Sequence, residues 1–124
     1  GKNILVVDDS KLNLRVAQNV LKTFNVNVMT STSGQECLDL CKTNKYDIIL
    51  MDIMMPLMNG IETLKRIRID DKKVPVIALT ADAVEGMEEK YLKEGFNDYL
   101  SKPIDRNKLG IILNKYLKGE EKNE

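Results

Sequence analysis

Apolar positions along the chain alternate between two patterns. Short runs occur at Ile4 to Val7, Val26 to Thr30, Tyr46 to Met51, Val74 to Leu79 and Asn97 to Ser101. Runs of this length, stopped by acids or turn residues, predict strands of a sheet covered on both faces. Between them apolar residues recur with a helical period. From Lys11 to Phe24 the stripe is Leu12, Val16, Ala17, Val20, Leu21 and Phe24. After Asp105 it is Leu109, Ile112, Leu113, Tyr116 and Leu117.

Start and stop signals agree with these phases. Ser33-Gly-Gln-Glu36 is a capping box opening a helix that carries Cys37, Leu38 and Cys41. Asn59 with Glu62 opens a third helix, which runs to about Arg68 and gives way to a polar turn, Asp70-Asp-Lys-Lys73. Pro75 falls at the start of its strand, where a missing N–H does little harm. Asp82 and Glu85 read as the cap of a fourth helix ending at Gly95, with Phe96 placed for the apolar contact of a Schellman motif. The order is therefore βα repeated five times. Such alternation predicts an α/β fold, a doubly wound parallel sheet with helices on both faces in three layers. Residues 1–118 form its single domain, and residues 119–124 are a charged tail expected to fray.

Composition narrows the chemistry. Nineteen Lys and Arg balance nineteen Asp and Glu, which argues against direct nucleic-acid binding. No apolar run approaches the roughly 18 residues of a membrane-spanning helix. The chain has no histidine. That excludes Ser-His-Asp and Cys-His nucleophile systems and most catalytic zinc sites. Cys37 and Cys41, four residues apart, read as small half-buried residues in a reducing compartment. The chain opens on Gly1 rather than Met, which reads as an excised piece of something longer.

In doubly wound sheets the site lies beyond the carboxyl ends of the strands. Those ends hold Asp8-Asp9, Asp52, Thr80 and Ser101-Lys102-Pro103. A single acid there is more often a helix cap than a ligand. Three converging carboxylates repel one another, which implies a bound cation or raised pKa values. With only oxygen ligands to hand, the expected ion is Mg²⁺, with Mn²⁺ as a substitute. Thr80 and Lys102 are then placed to donate to phosphoryl oxygens.

The segments Ile4-Leu-Val-Val-Asp-Asp9, Met51-Asp-Ile-Met-Met-Pro-Leu-Met-Asn-Gly60, Val76-Ile-Ala-Leu-Thr-Ala81 and Asp98-Tyr-Leu-Ser-Lys-Pro-Ile104 resemble the receiver domains of two-component response regulators, including those of hybrid sensor histidine kinases. The resemblance covers residues 3 to about 118 and implies a flavodoxin-like sheet of order 2-1-3-4-5. It implies that Asp52 is the phosphoacceptor and that Asp9, Asp52 and the backbone carbonyl of Met54 bind Mg²⁺, with Asp8 reaching it through water. It implies that Thr80 and Lys102 hold the phosphoryl group, that Tyr99 is the aromatic switch residue, and that Lys102-Pro103 is a cis peptide. It also implies self-catalysed phosphorylation and hydrolysis rather than dedicated turnover, in the cytoplasm. With no histidine of its own, the chain must take its phosphoryl group from a histidine kinase or a histidine phosphotransfer protein.

Other readings fit less well. A haloacid-dehalogenase-type phosphatase needs a second Asp two residues after its nucleophile, where Ser10 and Lys11 stand. A flavodoxin needs a hydroxyl-rich loop where Asp8-Asp9 would repel phosphate. A phosphorelay role predicts a docking rim for the donor helix. Its expected members are Ser10, Asn13, Leu14 (pointing off the helical stripe) and Ile104 on the facing loop, both apolar residues exposed. The alternative is a response-regulator or stand-alone receiver acting through its fourth helix, fifth strand and fifth helix. The isolated chain is expected to be a monomer.

Overall fold

The computed structural model describes residues 1–81 and 86–117. Five strands alternate with five helices: β1 (Asn3–Val7), α1 (Lys11–Lys22), β2 (Asn27–Ser31), α2 (Gly34–Thr43), β3 (Ile48–Asp52), α3 (Gly60–Asp70), β4 (Val76–Thr80), α4 (Met87–Glu94), β5 (Asp98–Ser101) and α5 (Arg106–Leu117). All strand pairs are parallel, in the order β2-β1-β3-β4-β5. This is the predicted fold.

Strand alternation divides the core in two. Leu5, Val7, Ile49, Met51, Val76 and Ala78 face the layer containing α2, α3 and α4, where Cys37, Leu64, Ile67 and Tyr91 meet them. Ile4, Val6, Ile48, Leu50, Ile77 and Leu79 face α1 and α5, where Leu14, Ala17, Leu21, Leu109, Ile112 and Leu113 close the other side. Two buried layers on one sheet explain why the central strands read as unbroken apolar runs.

The caps form where the sequence places them. Ser33 Oγ accepts from the Glu36 amide at 3.0 Å, while the Glu36 carboxylate reaches back one residue further than expected, to the Thr32 amide at 2.7 Å. Asn59 and Glu62 make the full reciprocal box. Gly95, at φ +116°, ends α4, and the Phe96 amide donates to the Tyr91 carbonyl at 3.2 Å. The Phe96 ring meets the Tyr91 ring edge-on, completing the Schellman contact. Residues 82–85, where the Asp82–Glu85 cap is expected, and the tail lie outside the described residues; α4 as described starts at Met87, after Gly86 at φ +95° rather than after an acidic cap.

Three expectations shift. β3 and β4 start two residues late and include Asp52 and Thr80 as their last residues, so these side chains take strand geometry rather than loop geometry. α1 ends at Lys22, short of Phe24. The stripe of α1 is also rotated. Leu14 is buried at 5% exposure with Ala17 and Leu21, whereas Leu12 is 71% and Val16 40% exposed. At 3.6 residues per turn, Leu12 and Leu14 lie about 200° apart, so one of them must face water. Ser10, whose hydroxyl accepts from the Asn13 amide at 3.2 Å, starts the helix in the phase that turns Leu14 inward.

Gly60 fixes the seam between β3 and α3. Its amide donates to the Ile53 carbonyl at 3.0 Å. A Cβ there would strike the Asp52 carbonyl oxygen and come within 2.9 Å of Ile53 Cα. Backbone on both sides leaves nothing flexible to yield. Gly60→Ala is expected to lower the unfolding free energy by about 1–3 kcal/mol in urea titrations. A change below 0.5 kcal/mol, within the ordinary scatter of surface substitutions, would show that the seam relaxes freely.

Candidate functional site

The parallel register brings Asp8, Asp52, Thr80 and Lys102 to one edge. Asp8 continues the ladder past β1, its amide donating to the Ser31 carbonyl at 3.0 Å. Asp52 pairs in register with Leu79, which puts Thr80 one step beyond it. Lys102 follows β5, its amide donating to the Thr80 carbonyl at 2.8 Å, and the Lys102-Pro103 peptide is cis, as expected. Asp8, Asp52 and Thr80 are buried, Lys102 is partly exposed, and Asp9 is exposed.

One carboxylate oxygen from each of Asp8, Asp9 and Asp52 lies within 4.8 Å of the other two. Lys102 Nζ stands 3.2 Å from Asp52 Oδ1 and 3.3 Å from Asp8 Oδ2. Two backbone amides assist: Ser10 donates to Asp8 Oδ1 at 2.9 Å, and Met54 to Asp52 Oδ1 at 3.3 Å. At an effective dielectric near 20, unit charges interact by about 5 kcal/mol at the Lys102 separations and by about 3.5 kcal/mol at 4.8 Å. Three acid–acid repulsions stand against two attractions from one ammonium, so the cluster is under-neutralised. Asp52 registers the imbalance. Burial, and then the neighbouring Asp8 charge, push its carboxyl up to about 6, against the pull of Lys102 and the Met54 amide. For Lys102, burial works to lower the pKa, but the hydrogen bond and charge of Asp52, with Asp8 behind them, outweigh it and raise it.

Such a site suits a hard divalent cation. Its donors are all oxygen, they converge from three directions, and their charge exceeds what the chain supplies. Asp9, being exposed, leaves one side open to water or to a phosphoryl oxygen. Tyr99 lies half-buried on β5, packed with the cluster that holds Tyr91 and Met87 of the α4 region.

The expected docking rim needs correction. Ser10 and Asn13 are partly exposed at the start of α1. Leu14 is not exposed; it belongs to the core, for the phase reason given above. Ile104 is only partly exposed and packs against the α1/α5 cluster. The apolar residues that do face water on α1 are Leu12 and Val16. Val16, Asn13, Pro103 and Ile104 line a small cleft of about 70 Å³ whose wall also includes Asp8 and Lys102. On the other flank Met54 and Leu57 are exposed. Leu14, Ala17 and Leu21 make a second stripe at i, i+3 and i+7, and the sequence carries no signal that selects it over the stripe through Leu12 and Val16.

Comparison with known proteins gives a consistent result. Residues 4–114 match the family described as response regulator receiver domain. A probable histidine kinase from Oryza sativa subsp. japonica is 37% identical over 94% of the chain, which spans only 14% of that kinase's length. The polar-differentiation response regulator DivK of Brucella anthropi is 34% identical over 94% of the chain and 96% of its own length. Among solved structures, the receiver domain of a Pseudomonas aeruginosa sensor histidine kinase, determined with a magnesium ion in its active-site cleft, superposes with a TM-score of 0.87 at 35% identity, covering 96% of this chain and 99% of that one. The receiver domain of a Saccharomyces cerevisiae response regulator, crystallised with its histidine phosphotransfer protein, gives a TM-score of 0.84 at 28% identity, covering 93% and 88%. Among the described residues no helix is long and apolar enough to cross a membrane. The chain belongs to the response regulator receiver domain family of two-component signalling.

Proposed function

We propose that Asp52 is the phosphoacceptor and that the chain serves a phosphorelay, taking phosphoryl groups from phosphohistidine on a histidine kinase or histidine phosphotransfer protein. The observation that carries this reading is the buried Asp52 carboxylate, hydrogen-bonded by Lys102 and crowded by Asp8. An Asp52 oxygen attacks phosphorus in line, the P–N bond breaks, and the donor's imidazole nitrogen keeps the electron pair. Lys102 and Thr80 hold the phosphoryl oxygens as charge moves onto Asp52. Asp9, Asp52 and the Met54 carbonyl would hold Mg²⁺ directly and Asp8 through water; the bound ion supplies charge neutralisation at the phosphoryl oxygens. Mn²⁺ offers the same chemistry. The acyl phosphate is then lost to water or passed to another histidine. Phosphorylation adds about 1.5 to 2 negative charges, which draws Thr80 inward and lets Tyr99 follow, changing the surface of α4, β5 and α5.

The hybrid-kinase relatives and the exposed apolar residues beside the site favour a receiver that docks a phosphohistidine helix. We place it in the cytoplasm, with such donors. The 34% identity to DivK, a response regulator, supports the alternative of a response-regulator or stand-alone receiver working through the α4-β5-α5 face.

Acetyl phosphate should label the wild type and not Asp52→Asn, and EDTA should stop the reaction. Equal labelling of the variant would exclude Asp52. Leu12→Asp and Val16→Asp should slow transfer from a protein donor about tenfold, the scale of losing 1.4 kcal/mol of docking, with acetyl phosphate labelling unchanged. Ile104→Asp should act in the same direction, more weakly. Leu14→Asp should instead unfold the chain, because it buries an unpaired charge. Wild-type transfer rates in both Leu12→Asp and Val16→Asp would move the docking surface elsewhere.

The raised Asp52 pKa sets a pH dependence. Its carboxyl holds its proton more tightly folded than unfolded, so the folded chain loses stability as pH rises from about 4 to about 6. In EDTA at pH 7.5, Asp52→Asn should therefore be more stable than wild type by about 1–2 kcal/mol, and the two should converge near pH 4. Millimolar Mg²⁺ should close the gap at pH 7.5 by stabilising only the wild type. A variant less stable than wild type in EDTA would contradict the charge crowding.

A further inference from the structure

Between β3 and α3 the chain runs through six uncharged residues, Ile53-Met-Met-Pro-Leu-Met58, in a protein of which 31% is charged. The loop is held firmly. Ile53 and Met55 are buried, the Ile53 carbonyl accepts from the Gly60 amide, and the Met54 amide donates to the Asp52 carboxylate. Met58 Sδ would lie 3.1 Å from a Cβ built on Gly34, so the far end of the loop rests on the start of α2. Met54, Pro56 and Leu57 face outward.

Leu57 is unfavourable where it stands on two counts. Its backbone is left-handed, at φ +68°, and the Met58 amide donates across it to the Pro56 carbonyl at 2.7 Å. That is a γ-turn with a positive central φ, the rarer and strained form. Glycine or asparagine would take this conformation more easily than a bulky side chain. Asn25, the other non-glycine residue with positive φ among the described residues, is of the type that suits it. The Leu57 side chain is also fully exposed and joins neither half of the core. A single exposed leucine is ordinary. A strained one on an uncharged loop, with Met54 exposed beside it, is accounted for by a surface outside the molecule that covers it.

The place of the loop says which surface. Its Met54 amide abuts Asp52, so a molecule that reaches Asp52 passes beside it. The exposed apolar residues of α1, Leu12 and Val16, belong to the other face of the sheet, so apolar side chains flank Asp52 on two sides. A small anionic phosphoryl donor gains nothing from such flanks, whereas a protein donor gains contact area on both. With no histidine in the chain, a phosphohistidine donor is another domain or molecule.

We propose that Leu57 is a docking contact for the phosphohistidine-bearing protein, packing against an apolar side chain beside the donor histidine. The inference rests on the phosphorelay reading above and extends its interface from α1 to the β3–α3 loop. Folding stability and transfer from the donor are then opposed at this one residue.

The test compares two donors with the same P–N bond, phosphoramidate and a phosphorylated histidine phosphotransfer protein. Leu57→Gly should melt at the wild-type temperature or up to about 4 °C above it, because it relieves the left-handed strain. It should take phosphoryl groups from phosphoramidate at the wild-type rate. From the protein donor its kcat/KM should fall about tenfold through KM, the scale of losing one buried leucine contact, with kcat little changed. Leu57→Met, which keeps the apolar reach, should stay within about threefold of wild type. Wild-type transfer from the protein donor in Leu57→Gly overturns the proposal. So does a Leu57→Gly that melts below wild type, since the leucine then has its contact within the molecule. Dimerisation of the wild type that Leu57→Gly abolishes, seen by sedimentation velocity, would overturn it too by making a second copy the occupant. A wild type that reacts with phosphoramidate but with no phosphohistidine protein removes the phosphorelay reading itself, and this inference with it.

Discussion

Three carboxylates held within 4.8 Å of one another against one ammonium form the constraint on which the rest of the molecule turns. Such an arrangement is unfavourable in itself, so a stable frame must impose it. The frame is the central sheet, whose β1, β3 and β4 are buried almost throughout. Asp8 and Asp52 leave adjacent strands in parallel register, and neither can swing away without breaking strand pairing. Gly60 and the Ser10 cap then fix how the following chain departs, and so where the Met54 and Ser10 amides point.

The frame and the chemistry are coupled through charge. Because the cluster is under-neutralised, it gains most from a species that brings positive charge and accepts oxygen ligands. On the proposed reading a phosphoryl group deepens that negative charge, and Thr80 and Lys102 are the groups placed to answer it. Tyr99 packs on the same side of the sheet as α4. A shift at the strand ends can thus be passed to a surface well removed from Asp52.

Much of this was legible in the sequence because strand ends are marked twice, by the end of an apolar run and by an acid, hydroxyl or ammonium. Asp8, Asp52, Thr80 and Lys102 each carry both marks. Caps were legible for a similar reason: Ser33 and Asn59 announce themselves by the Glu three residues on. The phase of α1 was not legible. Leu12, Leu14, Val16, Ala17, Val20 and Leu21 offer two overlapping stripes, and only the way Ser10 launches the helix selects the one through Leu14. The expected docking rim inherited that error: Leu14 is buried, and the exposed apolar residues of α1 are Leu12 and Val16.

The most direct test of the central claim is the titration of the Asp52 carboxylate itself, followed by carbon-13 NMR with labelled aspartate and assigned through Asp52→Asn. In EDTA the carboxyl should titrate near 6, the value that burial and Asp8 impose. With saturating Mg²⁺ its midpoint should fall below the ordinary aspartate value of about 3.9. A midpoint near that ordinary value in EDTA, unmoved by Mg²⁺, would contradict the account.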